Sequence, residues 1–309
     1  MDVMIELSGV SKNYGQLKAA ENISFSLHKG EILGFLGPNG AGKTTVMKII
    51  TGFMPPDSGN VKIKGVGISK DPVGTRKSIG YLPENNPLYT DMTVEEYLRF
   101  IASMRGLGDP DKAISSALSK CGISNVSHRI IGHLSKGYRQ RVGLAQAIIH
   151  DPEILILDEP VNGLDPKQIA EIRTLIRDLG KEKTVILCSH ILSEVEAVAD
   201  RVVIINEGRI VADDRIENLR ERSKGGNIFV LELLEIPVDA IEKIKEIQCV
   251  IKAEPSGAGI FRIVAAGEKE TSNLIFETAV RNNWKLAQLY MEGSSLENMF
   301  LDLTEGGKK

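Results

Sequence analysis

Apolar and polar positions alternate at Ile5 and Leu7, and again at Ile23, Phe25 and Leu27. This predicts two half-buried strands near the start of the chain, with a turn signal at Asn13-Tyr14-Gly15 between them. The next run, Ile32 to Leu36, is apolar throughout. It gives way to helical spacing at Val46, Ile49, Ile50 and Phe53, so a strand should become a helix across the glycine-rich residues 37–45. After the turn Pro55-Pro56-Asp57-Ser58-Gly59 come an edge-like strand, Val61-Lys62-Ile63, and a short one, Ser78 to Leu82, ending at Pro83-Glu84. At Thr93 the period changes. Thr93 and Glu96 have capping-box spacing for a helix reaching about Arg105. Asp109-Pro110 opens another that Gly122 stops near Cys121, and Ser135 is placed to cap a third carrying Val142, Leu144, Ala145, Ile148 and Ile149. Residues about 90–150 therefore read as a helical insertion between β-rich segments.

Ile154 to Leu157, bounded by Pro152 and Pro160, reads as a strand buried on both faces of a parallel sheet. Asp165-Pro166 caps a helix with Ile169, Ile172, Ile176 and Leu179 on one face, closed by Gly180. Thr184 to Cys188 is a further buried strand ending in Ser189-His190. Val202 to Asn206, Glu207-Gly208 and Arg209 to Ala212 form a hairpin, and a linker helix covers Ile216 to Arg222. Ser223-Lys224-Gly225-Gly226 marks the boundary between a domain of residues 1–222 and one of 227–309. The second runs strand, helix, strand, strand, helix, strand, the order of an α+β, ferredoxin-like unit. A last helix with Leu296, Met299, Phe300 and Leu303 on one face needs a surface to pack on. The fold class is α/β, with a smaller α+β domain after it.

Composition narrows the partners. A hydrophobic content of 42% and a charged content of 26% are those of a globular protein, and a formal net charge of −3 gives no electrostatic reason to expect nucleic acid. No apolar run approaches the length of a membrane span, and the start lacks the basic and apolar regions of a signal peptide. Cys121, Cys188 and Cys249 are too few and too scattered for a disulfide frame, and fit buried thiols in a reducing compartment. A cytoplasmic protein that meets membranes only through a partner is expected.

The chemistry concentrates at three places. Gly37-Pro38-Asn39-Gly40-Ala41-Gly42-Lys43-Thr44-Thr45 matches the phosphate-loop pattern in its required strand–loop–helix setting. There backbone N–H groups cradle phosphates, Lys43 reaches the outer phosphates and Thr44 offers its hydroxyl to Mg²⁺. Asp158 and Glu159 end the buried strand, where two carboxylates are costly unless one anchors a metal and the other accepts a proton from water. Ser135 opens a second helix N-terminus able to receive an anion. Taken alone, Tyr14 is a turn aromatic and His190 as much a packing group as a chemical one.

In order and spacing, the phosphate loop, Leu134-Ser135-Lys136-Gly137-Tyr138-Arg139-Gln140-Arg141, Ile154 to Pro160, Gly163-Leu164-Asp165 and Ser189-His190 resemble an ABC-type ATPase domain over residues 1 to 220. The signature LSGGQ is kept at Ser135 and Gly137 and departs at Lys136 and Tyr138. The resemblance implies a mixed sheet core with a helical subdomain. It also implies that Tyr14 stacks on adenine, that Gly37, Asn39, Gly40, Ala41, Gly42, Lys43, Thr44 and Thr45 hold the phosphates, and that Asp158 and Thr44 hold Mg²⁺. Glu159 then polarises the attacking water, His190 touches the γ-phosphate, and Ser135 and Gly137 complete the ATP site of a second copy in a homodimer. Glu84 stands where the family has a glutamine; a carboxylate there can still ligate Mg²⁺ but accepts hydrogen bonds only.

The lack of spans resembles the ABC-2 exporter branch, with an integral membrane permease as a separate chain and the ATPase on the inner face of the plasma membrane. Ser295 to Leu303 is similar to that branch's tail. Gly80 to Leu98 is similar to the gliding-motility ATPase subunit. The alternative is a soluble ABC ATPase acting on nucleic acid, the ribosome or another non-membrane partner, against which the net charge and the single cassette argue.

Overall fold

The computed structural model describes residues 2–222, 227–237, 239–267, 269–291, 300 and 303–304. It divides into two compact units, Met1–Arg215 and Ile216–Lys309.

In the first unit β1 (Val3–Tyr14) and β2 (Leu17–His28) form a long hairpin, and β3 (Ile32–Leu36) leads through the glycine loop into α1 (Lys43–Ile50). β4 (Ser58–Ile63) and β5 (Val66–Gly67) join the hairpin in an antiparallel sheet of order β2-β1-β4-β5. α2 (Pro72–Lys77) and β6 (Ile79–Leu82) precede the helical insertion α3 (Val94–Met104), α4 (Pro110–Lys120) and α5 (Lys136–Ile148). Then follow β7 (Ile154–Asp158), α6 (Pro166–Gly180), β8 (Thr184–Ser189), α7 (Leu192–Glu196), β9 (Arg201–Asn206) and β10 (Arg209–Arg215). The second sheet has the order β10-β9-β3-β8-β7-β6, parallel except for the β10 edge.

Strand period builds two cores on this sheet. Leu155 and Leu157 of β7, with Val185 and Leu187 of β8, pack into a cluster with the inward faces of α3, α4, α5 and α6. The intervening Ile154, Ile156, Ile186 and Cys188 pack on the other side against Val46, Met47, Ile49 and Ile50 of α1 and the inner face of the hairpin. Both faces are apolar because both are covered, and each such side chain contributes about 1.5–3 kcal/mol. The helix starts follow local chemistry. Thr93 and Glu96 cap reciprocally, Asp109 accepts from Lys112 N at 3.1 Å, and Asp165 accepts from Gln168 N at 2.9 Å.

Several expectations change. α1 ends at Ile50, so Phe53 lies beyond the helix and is exposed. β1 runs on to Tyr14, because Asp57 accepts from Asn13 N at 2.7 Å and Tyr14 pairs with Leu17, so the turn is Gly15-Gln16. β4 is interior, with β5 as the edge. Gly180 lies inside α6, where a Cβ would come within 2.4 Å of Ile32 Cδ1; close packing, not helix termination, explains it. Cys249 is half-buried, unlike Cys121 and Cys188.

In the second unit α8 (Ile216–Arg222) precedes β11 (Asn227–Leu233), α9 (Ala240–Lys245), β12 (Val250–Gly257), β13 (Ile260–Ala265), α10 (Lys269–Arg281) and β14 (Leu286–Met291). The sheet is antiparallel, order β12-β13-β11-β14. Phe229, Leu231, Leu233, Phe261 and Ile263 on one face meet Ala240, Ile244 and Ile275 of the helices. This is the ferredoxin-like arrangement that the element order predicts. The linker Ser223–Gly226 and Leu296 and Met299 of the terminal helix lie outside the described residues.

Candidate nucleotide site

The C-terminal ends of β3, β7 and β8 meet beside α1, where open α/β sheets bind ligands. β3 delivers the glycine loop. Gly42 is required there twice over: its φ is +105°, and a Cβ would sit 2.0 Å from Ala19 O. The loop opens a cleft of about 560 Å³ lined on this side by Asn39, Gly40, Gly42, Lys43, Thr44 and Thr45. Exposed Tyr14, with Leu17 and Ala19, forms the outer wall, and the Tyr14 hydroxyl donates to Met54 Sδ at 3.2 Å. Gly37 and Ala41 lie behind the cleft: a Cβ at Gly37 would meet Ile205, and the Ala41 methyl is buried.

The opposite wall carries Glu84, Glu159, Asn162 and His190. Glu159 follows β7 with φ +50°, a left-handed conformation uncommon for a glutamate, and its N–H donates to Cys188 O at 3.0 Å. Its carboxylate is 5% exposed. Oε2 takes a hydrogen bond from His190 Nδ1 at 2.9 Å, while Oε1 is 3.5 Å from Lys43 Nζ. The loop bearing His190 is fixed by Ser189, which donates to Glu194 at 2.7 Å and accepts from Ile191 N at 3.0 Å. Lys43 is 6% exposed and donates to Gly37 O at 2.7 Å and Pro38 O at 3.3 Å.

Asp158 is fully buried, and neither of its oxygens has a hydrogen-bond partner; the Thr44 hydroxyl approaches it without completing one. Burial pushes its carboxyl up to about 6, Glu159 and Glu84 push the same way, and Thr44 and Lys43 oppose. An orphaned carboxylate beside a hydroxyl is a donor set that fits Mg²⁺. Among the described residues no three His, Cys, Asp or Glu side chains converge as a metal cage.

Ser135 and Gly137 are not at this cleft. They line a separate one of about 310 Å³ with Tyr138, Asp165 and Gln168, where Ser135 caps α5 by accepting from Tyr138 N at 3.4 Å.

Residues 20–162 match the ABC transporter family. Along nearly its whole length the chain is similar to the bacitracin transport ATP-binding protein BcrA of Bacillus licheniformis, 34% identical over 310 residues and spanning 99% of each protein. The chain belongs to the ABC transporter ATP-binding family.

Solved ABC structures share its fold. The ATP-binding subunit of an ABC transporter matches at 31% identity and a TM-score of 0.64, over 71% of this chain and 92% of that one. The dimeric bacterial ABC transporter cassette MJ0796 matches at 24% identity and a TM-score of 0.64, over 69% and 99%, a likeness of fold alone. This chain is thus an ABC ATP-binding subunit with a mixed-sheet core, a helical insertion and a small antiparallel C-terminal domain. Among the described residues no helix is long and apolar enough to cross a membrane.

Sequence reasoning passed over Asn162, which lines the nucleotide cleft between Glu159 and Asp165; its position in that short loop was the available signal. It also passed over Leu17 and Ala19, which reach the cleft only because the hairpin folds beside the glycine loop.

Proposed function

We propose that the chain is the ATP-hydrolysing subunit of an ABC-2 type exporter, working as a homodimer on the inner face of the plasma membrane with a separate integral membrane permease. The observation that carries this reading is the buried Glu159 carboxylate, held by His190 and facing Lys43 at the end of β7. Tyr14 stacks on the adenine, and the loop amides with Lys43 bind the phosphates. Glu159 accepts the proton of the attacking water, and His190, bonded through Nδ1, orients that carboxylate and the γ-phosphate. Thr44, Asp158 and the rim residue Glu84 hold Mg²⁺, which neutralises phosphate charge when bound. Ser135 and Gly137 lie in a separate cleft, so each chain carries two half-sites; a second copy supplies the missing N-terminal amides of α5.

Export is favoured by the whole-length likeness to a bacitracin transport protein. A membrane partner is favoured by a groove of about 370 Å³ lined by Thr51, Phe53, Ile79, Tyr81 and Met104 together with Arg76 and Arg105, with Phe53 76% and Met104 71% exposed. The likeness of Gly80 to Leu98 to the gliding-motility subunit includes no transport chemistry, and the identity of the permease decides that setting. The test has two arms. Mg²⁺-dependent ATPase activity per chain should rise with chain concentration, as a two-copy site requires; constant specific activity would reject the dimer. Affinity capture from detergent-solubilised membranes should recover an integral membrane protein, whereas recovery of ribosomes or RNA would reject the exporter.

A further inference from the structure

The nucleotide cleft does not end at Glu159. A second cleft of about 490 Å³ continues beyond it, and Glu84, Glu159 and Asn162 line both. Its far wall is Lys136, Arg139 and Gln140 from the first turns of α5, and its floor includes Asn85 and Asn86. Arg139 is half-buried, and among the described residues neither its guanidinium nor the Lys136 ammonium has a hydrogen bond or ion pair. Lys136 also stands at the first position of α5, where the dipole disfavours a cation and the first turn holds no acid. Its ammonium rests on the loop that carries Glu159 and Asn162, so closely that a Cβ at Gly163 would come within 2.2 Å of it. Asn86 packs on Gly143 with both polar atoms of its side chain buried and unpartnered.

The charges are ordered. The wall shared with the nucleotide cleft carries two carboxylates, and the far wall carries two cations with no counter-charge. Two of the three departures from the family motifs, Glu84 for glutamine and Lys136 for the first glycine of LSGGQ, lie here with opposite sign. An unpaired guanidinium in this cleft suits a tetrahedral oxyanion, which arginine binds through two parallel N–H bonds.

We propose that the second cleft is an oxyanion site that receives inorganic phosphate as it leaves the nucleotide cleft. The proposal rests on the hydrolysis reading above. In that step water oxygen bonds to the γ-phosphorus, the bond to the ADP oxygen breaks, and the water proton passes to Glu159. The product phosphate is then drawn to Lys136 and Arg139 on the far wall.

The test uses the full chain and inorganic phosphate alone, in ³¹P NMR titration without nucleotide and as product inhibitor of the ATPase. Lys136→Ala with Arg139→Ala should weaken phosphate at least five-fold in both assays, and Arg139→Lys should recover part of the loss. Lys43→Ala, which weakens the nucleotide cleft alone, should lower phosphate affinity less than the double variant does. Unchanged phosphate affinity in the double variant overturns the proposal, and so does a larger loss in Lys43→Ala than in the double variant, which would place the ion in the nucleotide cleft. If the wild-type chain bound phosphate through Arg139 but hydrolysed no ATP, the anion site would stand and the hydrolysis reading would fall.

Discussion

The two ends of the six-stranded sheet use similar side chains to opposite effect. At the N-terminal ends of the strands Lys183, 5% exposed, donates to Asp151 Oδ1 at 2.6 Å and Pro152 O at 2.8 Å. Asp200 accepts from Ile32 N at 2.9 Å, Thr184 accepts from Gly30 N at 3.0 Å, and His150 Nε2 donates to Ile79 O at 3.0 Å. The protein completes these bonds itself, apart from His150 Nδ1. At the C-terminal ends Asp158 has no hydrogen-bond partner, Glu159 Oε1 has none, and Glu159 adopts a strained backbone. Buried polar groups are normally satisfied, so the end where they are not is the end shaped for a ligand. The difference separates structure from chemistry without appeal to motif.

The largest expected effect comes from Glu159→Gln. The side chain keeps its size and can still meet His190, but it no longer accepts a proton. Turnover should fall by about 10²–10⁴-fold while ATP binding persists. A filter-binding assay beside a steady-state ATPase assay separates the two. Undiminished turnover would place proton acceptance elsewhere and leave the unsatisfied Oε1 without a catalytic meaning.

How much of this was readable in advance follows from distance along the chain. The phosphate loop, the Asp158-Glu159 pair and the caps at Thr93, Asp109, Ser135 and Asp165 are local patterns, complete within a few residues. α2 belongs with them, since Asp71-Pro72 carries the same cap signal as Asp109-Pro110. The extension of β1 depends on Asp57, the interior place of β4 on β5, and the burial of Asn86 on Gly143. Those are tertiary facts that no periodicity encodes. So is the gap between Ser135 and the cleft at Lys43: the motif names both, and only the fold shows that one chain keeps them apart.

His150 supplies the next effect, through pH. Burial lowers its pKa from 6.5 to about 4, and Arg105 adds to this, while the bond to Ile79 O opposes. Neutral imidazole is therefore favoured in the fold. The stability it contributes is fully present above pH 6.5 and lost as pH falls through 4, by about 2 kcal/mol once its partial exposure is allowed for. His150→Gln keeps a donor for Ile79 O and removes the titration. Denaturant unfolding of the two proteins from pH 7 to 4 should show curves that converge as pH falls, and parallel curves would reject the role. Lys183→Met should cost about 1–2 kcal/mol at neutral pH. It loses bonds to Asp151 and Pro152 O but keeps an apolar stem in the same space, and its ATP affinity should match the wild type.

Asp158→Asn separates the two ends by sign. Removing Lys183 takes away bonds that the fold uses, whereas Asp158 has none to lose. Its charge is held in a site that pushes the carboxyl up to about 6, so at pH 7 the folded chain carries an ion that its surroundings resist. Asparagine fills the same volume without the charge. In the absence of nucleotide and divalent cation the variant should be more stable, by about 1 kcal/mol, while losing hydrolysis, the usual exchange between stability and activity at a binding residue. Thermal melts with chelator present give the measurement. A less stable Asp158→Asn would show that Asp158 finds a protein partner in solution, as Lys183 does, and the two ends of the sheet would then differ in location only.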